Sequence, residues 1–163
     1  MVERVTIVAA SGNEEPLALR ALLESMAMEV RLLRVLNAAD MPATLLRAAE
    51  DNVVILSACG SARGFGLGHK DEMSWVDAAE AFKGVVFLND AVLISTAGAA
   101  RESGLVDVMF KAGGHLIAPN GNPDRRVIVP WVGACLLRAE AGLIEAVRTA
   151  NTLVETENRF SYG

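Results

Sequence analysis

Apolar and polar positions along this chain fall into short blocks that switch between a strand-like and a helix-like period. Val5 to Ala9 is a continuous apolar run, the pattern of a strand buried on both faces. A turn-like Ser11-Gly12-Asn13 follows, then a helix in which Glu14, Glu15 and Pro16 suit the first turn and Leu19, Leu22, Leu23 and Met26 recur at helical spacing. Val30 to Leu36 reads as a second strand, placed near a sheet edge because Arg31 and Arg34 interrupt it. Asp40 with Pro42 starts a helix running to about Glu50. Asn52 to Ala58 is β-branched and uncharged and belongs at the centre of the sheet.

The second half continues the pattern. Ser61 to Asp71 is a glycine-rich loop, and Ser74 with Asp77 is an N-cap signature for a helix carrying Trp75, Ala78, Ala79 and Phe82 on one face. Val85 to Leu88 and Ala91 to Ser95 are apolar runs separated by Asn89-Asp90, the spacing of a hairpin. Ser103 caps a helix with Leu105, Val108, Met109 and Ala112, closed by Gly113-Gly114. His115 to Ala118 is a short strand and Pro119 to Asp124 a turn-rich loop. Pro130 then opens a helix to about Glu140, with Val127 to Val129 extended before it. After Gly142, Leu143, Val147, Ala150 and Val154 align on a last helix. Strands alternating with helices in this way imply βαβ units and a parallel sheet. The fold class expected is α/β, a three-layer αβα domain over residues 1–163 with a mainly parallel central sheet, caspase-like or flavodoxin-like.

Composition narrows the function classes. Apolar residues make up 52% of the 163, charged residues 21% and aromatics 5%, so aliphatic side chains fill the core. Such a chain carries enough apolar surface to expect self-association, and a homodimer is the simplest form. The formal charge is −5, and the nearest thing to a basic face is Lys83 with the pair Arg125 and Arg126, read as solvated surface or a local anion contact. Nucleic acid and anionic membranes are therefore not expected partners. The longest uncharged apolar stretch, Val127 to Leu137, has eleven residues against the roughly 18 a membrane helix needs, and it contains Pro130. The start of the chain has no basic segment leading into an apolar run, so a cytoplasmic location is expected. Cys59 and Cys135 are then reduced thiols, and with only two histidines no metal site or cofactor is expected.

Ligands of an open parallel sheet bind at the carboxyl ends of its strands. That rule selects Ser11 to Asn13, Cys59 to Gly68, Ser95 to Gly98 and Pro119 to Asn122, with Ser11, Gly12, Ser95, Thr96 and Asn120 as contact residues. The second place is the most unusual. Gly60, Gly64, Gly66 and Gly68 offer backbone N–H groups to an anion, with Ser61 as a further contact and Arg63 as counter-charge, although the spacing is neither GxGxxG nor GxxxxGK[ST]. Cys59, ending the most buried strand, is a candidate nucleophile that needs His69 or His115 as its base. Its alternative is a small buried side chain, the common state of a free cysteine.

Leu56-Ser57-Ala58-Cys59 resembles the nucleophile strand of caspase-like peptidases, especially the CHAT group. Met109-Phe110-Lys111-Ala112-Gly113-Gly114, the Asp124-led helix, and Glu145-Ala146 with Ala150 resemble the same group. The resemblance implies a His-Gly at the end of one strand and a cysteine at the end of the next. If Cys59 were the nucleophile, the strand ending Val35-Leu36-Asn37 would carry the histidine, and it has none. Counting elements instead equates Asn52 to Gly60 with the His-Gly strand and Ala91 to Ala97 with the nucleophile strand. Cys59 then stands in the histidine's place and Thr96 or Ser95 in the cysteine's. Three functions follow as expectations. They are a caspase-like domain without the usual dyad acting through binding or self-association, a thiol hydrolase using Cys59 with His69 or His115, and a flavodoxin-like binder of a small molecule or anion at residues 60–68.

Overall fold

Every second residue of the central strands belongs to one core and the residues between them to another, which is how a sheet covered on both faces reads from within. In the computed structural model, Ile7, Ile55, Ile94 and Ile117 join one apolar cluster, while Val8, Leu56, Leu93 and Leu116 join the other. The structure describes residues 2–12, 14–68, 70–121, 123–156 and 159–162, and of residue 102 the backbone alone. Asn13, His69 and Asn122, each part of an expectation above, lie outside the described residues.

The main sheet has six strands: β1 (Arg4–Ala9), β2 (Glu29–Arg34), β3 (Val53–Ser57), β6 (Val92–Ser95), β7 (His115–Pro119) and β8 (Phe160–Tyr162). Between β3 and β6 in the chain, β4 (Gly64–Leu67) and β5 (Asp71–Ser74) form a separate antiparallel hairpin. The order across the main sheet is β2-β1-β3-β6-β7-β8, parallel throughout except for β8. Helices α1 (Glu14–Ser25), α5 (Arg125–Leu137) and α6 (Leu143–Ala150) cover one face. The other is covered by α2 (Met41–Ala48), α3 (Trp75–Lys83) and α4 (Leu105–Lys111). The chain is thus an α/β fold of three layers with a mainly parallel sheet. As expected, β3 is central, and β2, with Arg31 and Arg34, is an edge strand.

Several sequence expectations change. Residues 61–71 are not a loop, because most of them build the β4–β5 hairpin. Residues 85–88 form neither a strand nor half of a hairpin: Val85 and Phe87 anchor into the core while Val86 between them is 91% exposed, and the segment joins no sheet. Helix α5 begins at Arg125 rather than at Pro130, because the Asp124 carboxylate accepts the Arg126 N–H at 2.9 Å and caps it. Pro130 sits inside the helix, where it removes one backbone hydrogen bond, and residues 127–129 are helical rather than extended. Finally, β8 was not read from the sequence. It is held by the stacked rings of Trp131 and Phe160, 3.7 Å between centroids, and by Asn151, which accepts the Trp131 Nε1–H and the Phe160 N–H.

At the amino end of the sheet, buried Asp51 accepts from Arg4 Nε at 2.5 Å, from Arg31 and from the Thr6 hydroxyl. The network ties β1, β2 and the loop before β3 at the end away from the candidate site. No helix among the described residues is long and apolar enough to cross a membrane.

Candidate functional site at the carboxyl ends of β3 and β6

The direction of the crossovers reverses between β1, whose chain leaves for α1 on one face, and β3, whose chain leads to α3 on the other. This is the switch point at which open α/β sheets form a crevice. Here the β4–β5 hairpin covers it. The Ser11 hydroxyl donates to the Gly66 carbonyl at 2.6 Å, and the Gly68 N–H donates to the Ala10 carbonyl at 3.1 Å. The hairpin base is fixed by Trp75, which packs on Phe65 at 4.8 Å and donates its indole N–H to the Ser61 carbonyl at 2.8 Å.

The glycines serve this covering. A Cβ at Gly60 would lie 2.4 Å from the Gly64 carbonyl oxygen, and one at Gly64 would lie 2.2 Å from that of Met73. Both positions require backbone to touch backbone. Several amides of this segment are engaged as well: Ser61 N–H bonds the Gly64 carbonyl at 2.8 Å, Arg63 N–H the Ser61 hydroxyl at 3.3 Å, and Gly66 N–H the Cys59 carbonyl at 3.4 Å. What remains open is a groove of about 510 Å³ in front of the hairpin, lined by Cys59, Arg63, Phe65, Glu72 and Met73 among others. Cys59 is exposed on it.

The structure does not bring His115 to Cys59. His115 starts β7, pairs with Val92 and through it aligns with Val53, while Cys59 lies six residues beyond Val53. At about 3.3 Å per strand residue that is roughly 20 Å. His115 instead stacks on Tyr162, whose hydroxyl is 2.8 Å from Nδ1. Asn120 follows β7 in a segment that packs on Gly98, just past the end of β6, with its backbone N–H bonded to the Arg159 carbonyl and its side chain accepting from Ser161.

β3 and β6 are neighbours, and the groups that join their ends form a connected polar cluster. Thr96 is fully buried. Its hydroxyl accepts the Ala58 N–H at 3.1 Å and reaches the carbonyls of Ala58 at 3.2 Å and Leu56 at 3.4 Å. Ser95, also buried, bonds both the N–H and the carbonyl of Ala97. Over them lies Arg125, from the first turn of α5. Nη1 donates to the Thr96 carbonyl at 2.8 Å, and Nη2 donates to the Ala58 carbonyl at 3.0 Å and to the Thr96 hydroxyl at 3.2 Å. Nη2 also pairs with the Glu15 carboxylate, which accepts the Ser57 hydroxyl at 2.8 Å.

Glu15 and Arg125 are the site residues that sequence reasoning missed. The sequence groups Arg125 with Arg126 as solvated surface or a local anion contact; Arg126 is 88% exposed and pairs with Asp124, whose carboxyl it holds down at about 2, while Arg125 lies against the Glu15 carboxylate. The residues are 110 positions apart in sequence, so no local pattern couples them. What they share is a place in the first turn of a helix on the same face of the sheet. Cys135, by contrast, is the buried thiol it was expected to be, and burial pushes it up to about 12. Among the described residues no group of three His, Cys, Asp or Glu side chains is placed to hold a metal. Compared with protein-family models and with curated proteins, the chain matches none.

Proposed function

We propose that the chain is a caspase-like domain of CHAT type that works by binding a partner rather than by hydrolysing peptide bonds. The adjacency of β3 and β6 supports the register in which Cys59 stands at the histidine position and Thr96 or Ser95 at the nucleophile position. The observation that carries the reading is the Arg125 cluster. A hydroxyl attacks only when it is exposed and deprotonated by a neighbouring base. The hydroxyls of Ser95 and Thr96 are buried and bonded to backbone, and the cation and carboxylate above them are bonded to each other. The groups at these strand ends hold the sheet together.

The exposed thiol of Cys59 favours one second reading, a thiol hydrolase with His69 as base. An anion site at residues 60–68 is less well supported, because the amides of Ser61, Arg63, Gly66 and Gly68 are engaged within the protein. The test is a peptide-library digest read by mass spectrometry, with Cys59→Ala beside the natural chain. The binding reading expects no cleavage by either. Cleavage that disappears with Cys59→Ala would replace it with the thiol hydrolase.

A further inference from the structure

On the face of the sheet opposite Arg125, α3 and α4 leave a groove of about 510 Å³ between them. Its floor is apolar, including Phe82, Val85 and Phe87. At its ends stand two strongly exposed valines, Val76 at 71% at the start of α3 and Val86 at 91% just beyond it. Together with that floor the two valines make a continuous apolar strip, the kind of surface that a partner covers.

The charges say what covers it. Glu80 and Lys83 line the α3 wall, and Asp107 and Lys111 line the α4 wall. None of the four makes an ion pair within the described chain. Both helices run back to the amino ends of the parallel strands β6 and β7, so they are parallel to each other. Each carries its acid before its lysine. The groove therefore has an acidic end beside Val76 and a basic end beside Val86.

We infer that this groove is the interface of a two-fold homodimer. A two-fold axis through its middle lays the second groove antiparallel on the first, which sets each pair of lysines against the other copy's pair of acids. It also opposes the helix dipoles of the two copies and brings each Val86 to the other's Val76 end. A pattern with acids at one end and lysines at the other is self-complementary under that operation. The inference deepens the binding reading by naming the partner as a second copy. The two fail separately, because peptide turnover would overturn the first and leave the oligomeric state unchanged.

Sedimentation velocity on the full chain tests it. The natural chain is expected to dimerise, with the dimer weakened by salt. Val86→Asp, at a position outside the core, raises the dissociation constant by at least about tenfold. Lys83→Glu with Lys111→Glu gives one monomeric variant, and Glu80→Lys with Asp107→Lys gives another. Mixing the two restores a dimer containing one of each, since an all-acidic groove then meets an all-basic one. A natural chain that stays monomeric up to millimolar concentration overturns the proposal. So does a dimer that ignores these substitutions, or charge variants that stay apart when mixed.

Discussion

Replacing Arg125 by methionine removes the guanidinium that joins the ends of β3 and β6 while keeping most of the side chain's apolar stem. The loss leaves the Ala58 and Thr96 carbonyls without this donor and the Glu15 carboxylate, only 13% exposed, without its cation. Removing one partner of a buried pair costs about 3–5 kcal/mol. The Arg125 side chain is 37% exposed, so solvent screens part of the interaction and about 3 kcal/mol is the better expectation. For a chain of 163 residues each kcal/mol moves the melting temperature by about 2–4 °C, which gives a drop of about 6–12 °C. The neighbouring Arg126 supplies the control, because its pair with Asp124 is exposed to solvent and Arg126→Ala should leave the melting temperature nearly unchanged. Thermal unfolding followed by circular dichroism reads both. A double-mutant cycle with Glu15→Gln then isolates the coupling between the two side chains, expected above about 1 kcal/mol. Equal shifts for Arg125→Met and Arg126→Ala, or no coupling, would refute the account of this cluster.

Four further outcomes follow from the geometry. Gly64→Ala drives a Cβ into the Met73 carbonyl and should destabilise the chain by about 1–3 kcal/mol and expose Arg63 to trypsin, whereas Gly66→Ala, whose Cβ meets nothing closer than 3.9 Å, should be tolerated. Thiol titration of the native chain should find one reactive cysteine, Cys59, and a second only after unfolding. Because burial raises Cys135 from 9.0 to about 12, its contribution to stability is intact below pH 9 and is lost as pH rises towards 12, which alkaline denaturation of Cys135→Ala against the natural chain will show. Asp51→Ala leaves Arg4, Arg31 and Thr6 without their shared acceptor and should cost about 3 kcal/mol in urea unfolding.

Much of this fold is legible in the chain because a parallel sheet writes itself as apolar runs. Val53 to Ser57 is uncharged and central, while Arg31 and Arg34 mark β2 as an edge. The misses have physical causes. β8 is three residues long and owes its place to Trp131 and Asn151, tertiary partners that no local pattern reveals. The β4–β5 hairpin hid behind its glycines, which signal loops in general but here permit backbone contact. Pro130 suggests a later start for α5 than Asp124 sets, because a proline suits a first helical turn, yet this helix carries it inside despite the lost bond and the crowding of the preceding turn. At the candidate site, the strand-end rule names Ser11, Cys59 and Thr96, and the structure places all three at the carboxyl ends of neighbouring strands. The rule does not name Glu15 and Arg125, which meet only once α1 and α5 lie side by side.

The central claim is that no side chain at these strand ends attacks a peptide carbonyl. Its most direct test is the intact mass of the chain, acid-quenched after incubation with a large excess of activated peptide esters, with the urea-unfolded chain as the measure of unassisted reaction. The account predicts that Ser95 and Thr96 stay unmodified and that Cys59 is acylated no faster than in the unfolded chain. An acyl group gained on Ser95 or Thr96, or gained on Cys59 much faster in the folded state, would contradict it.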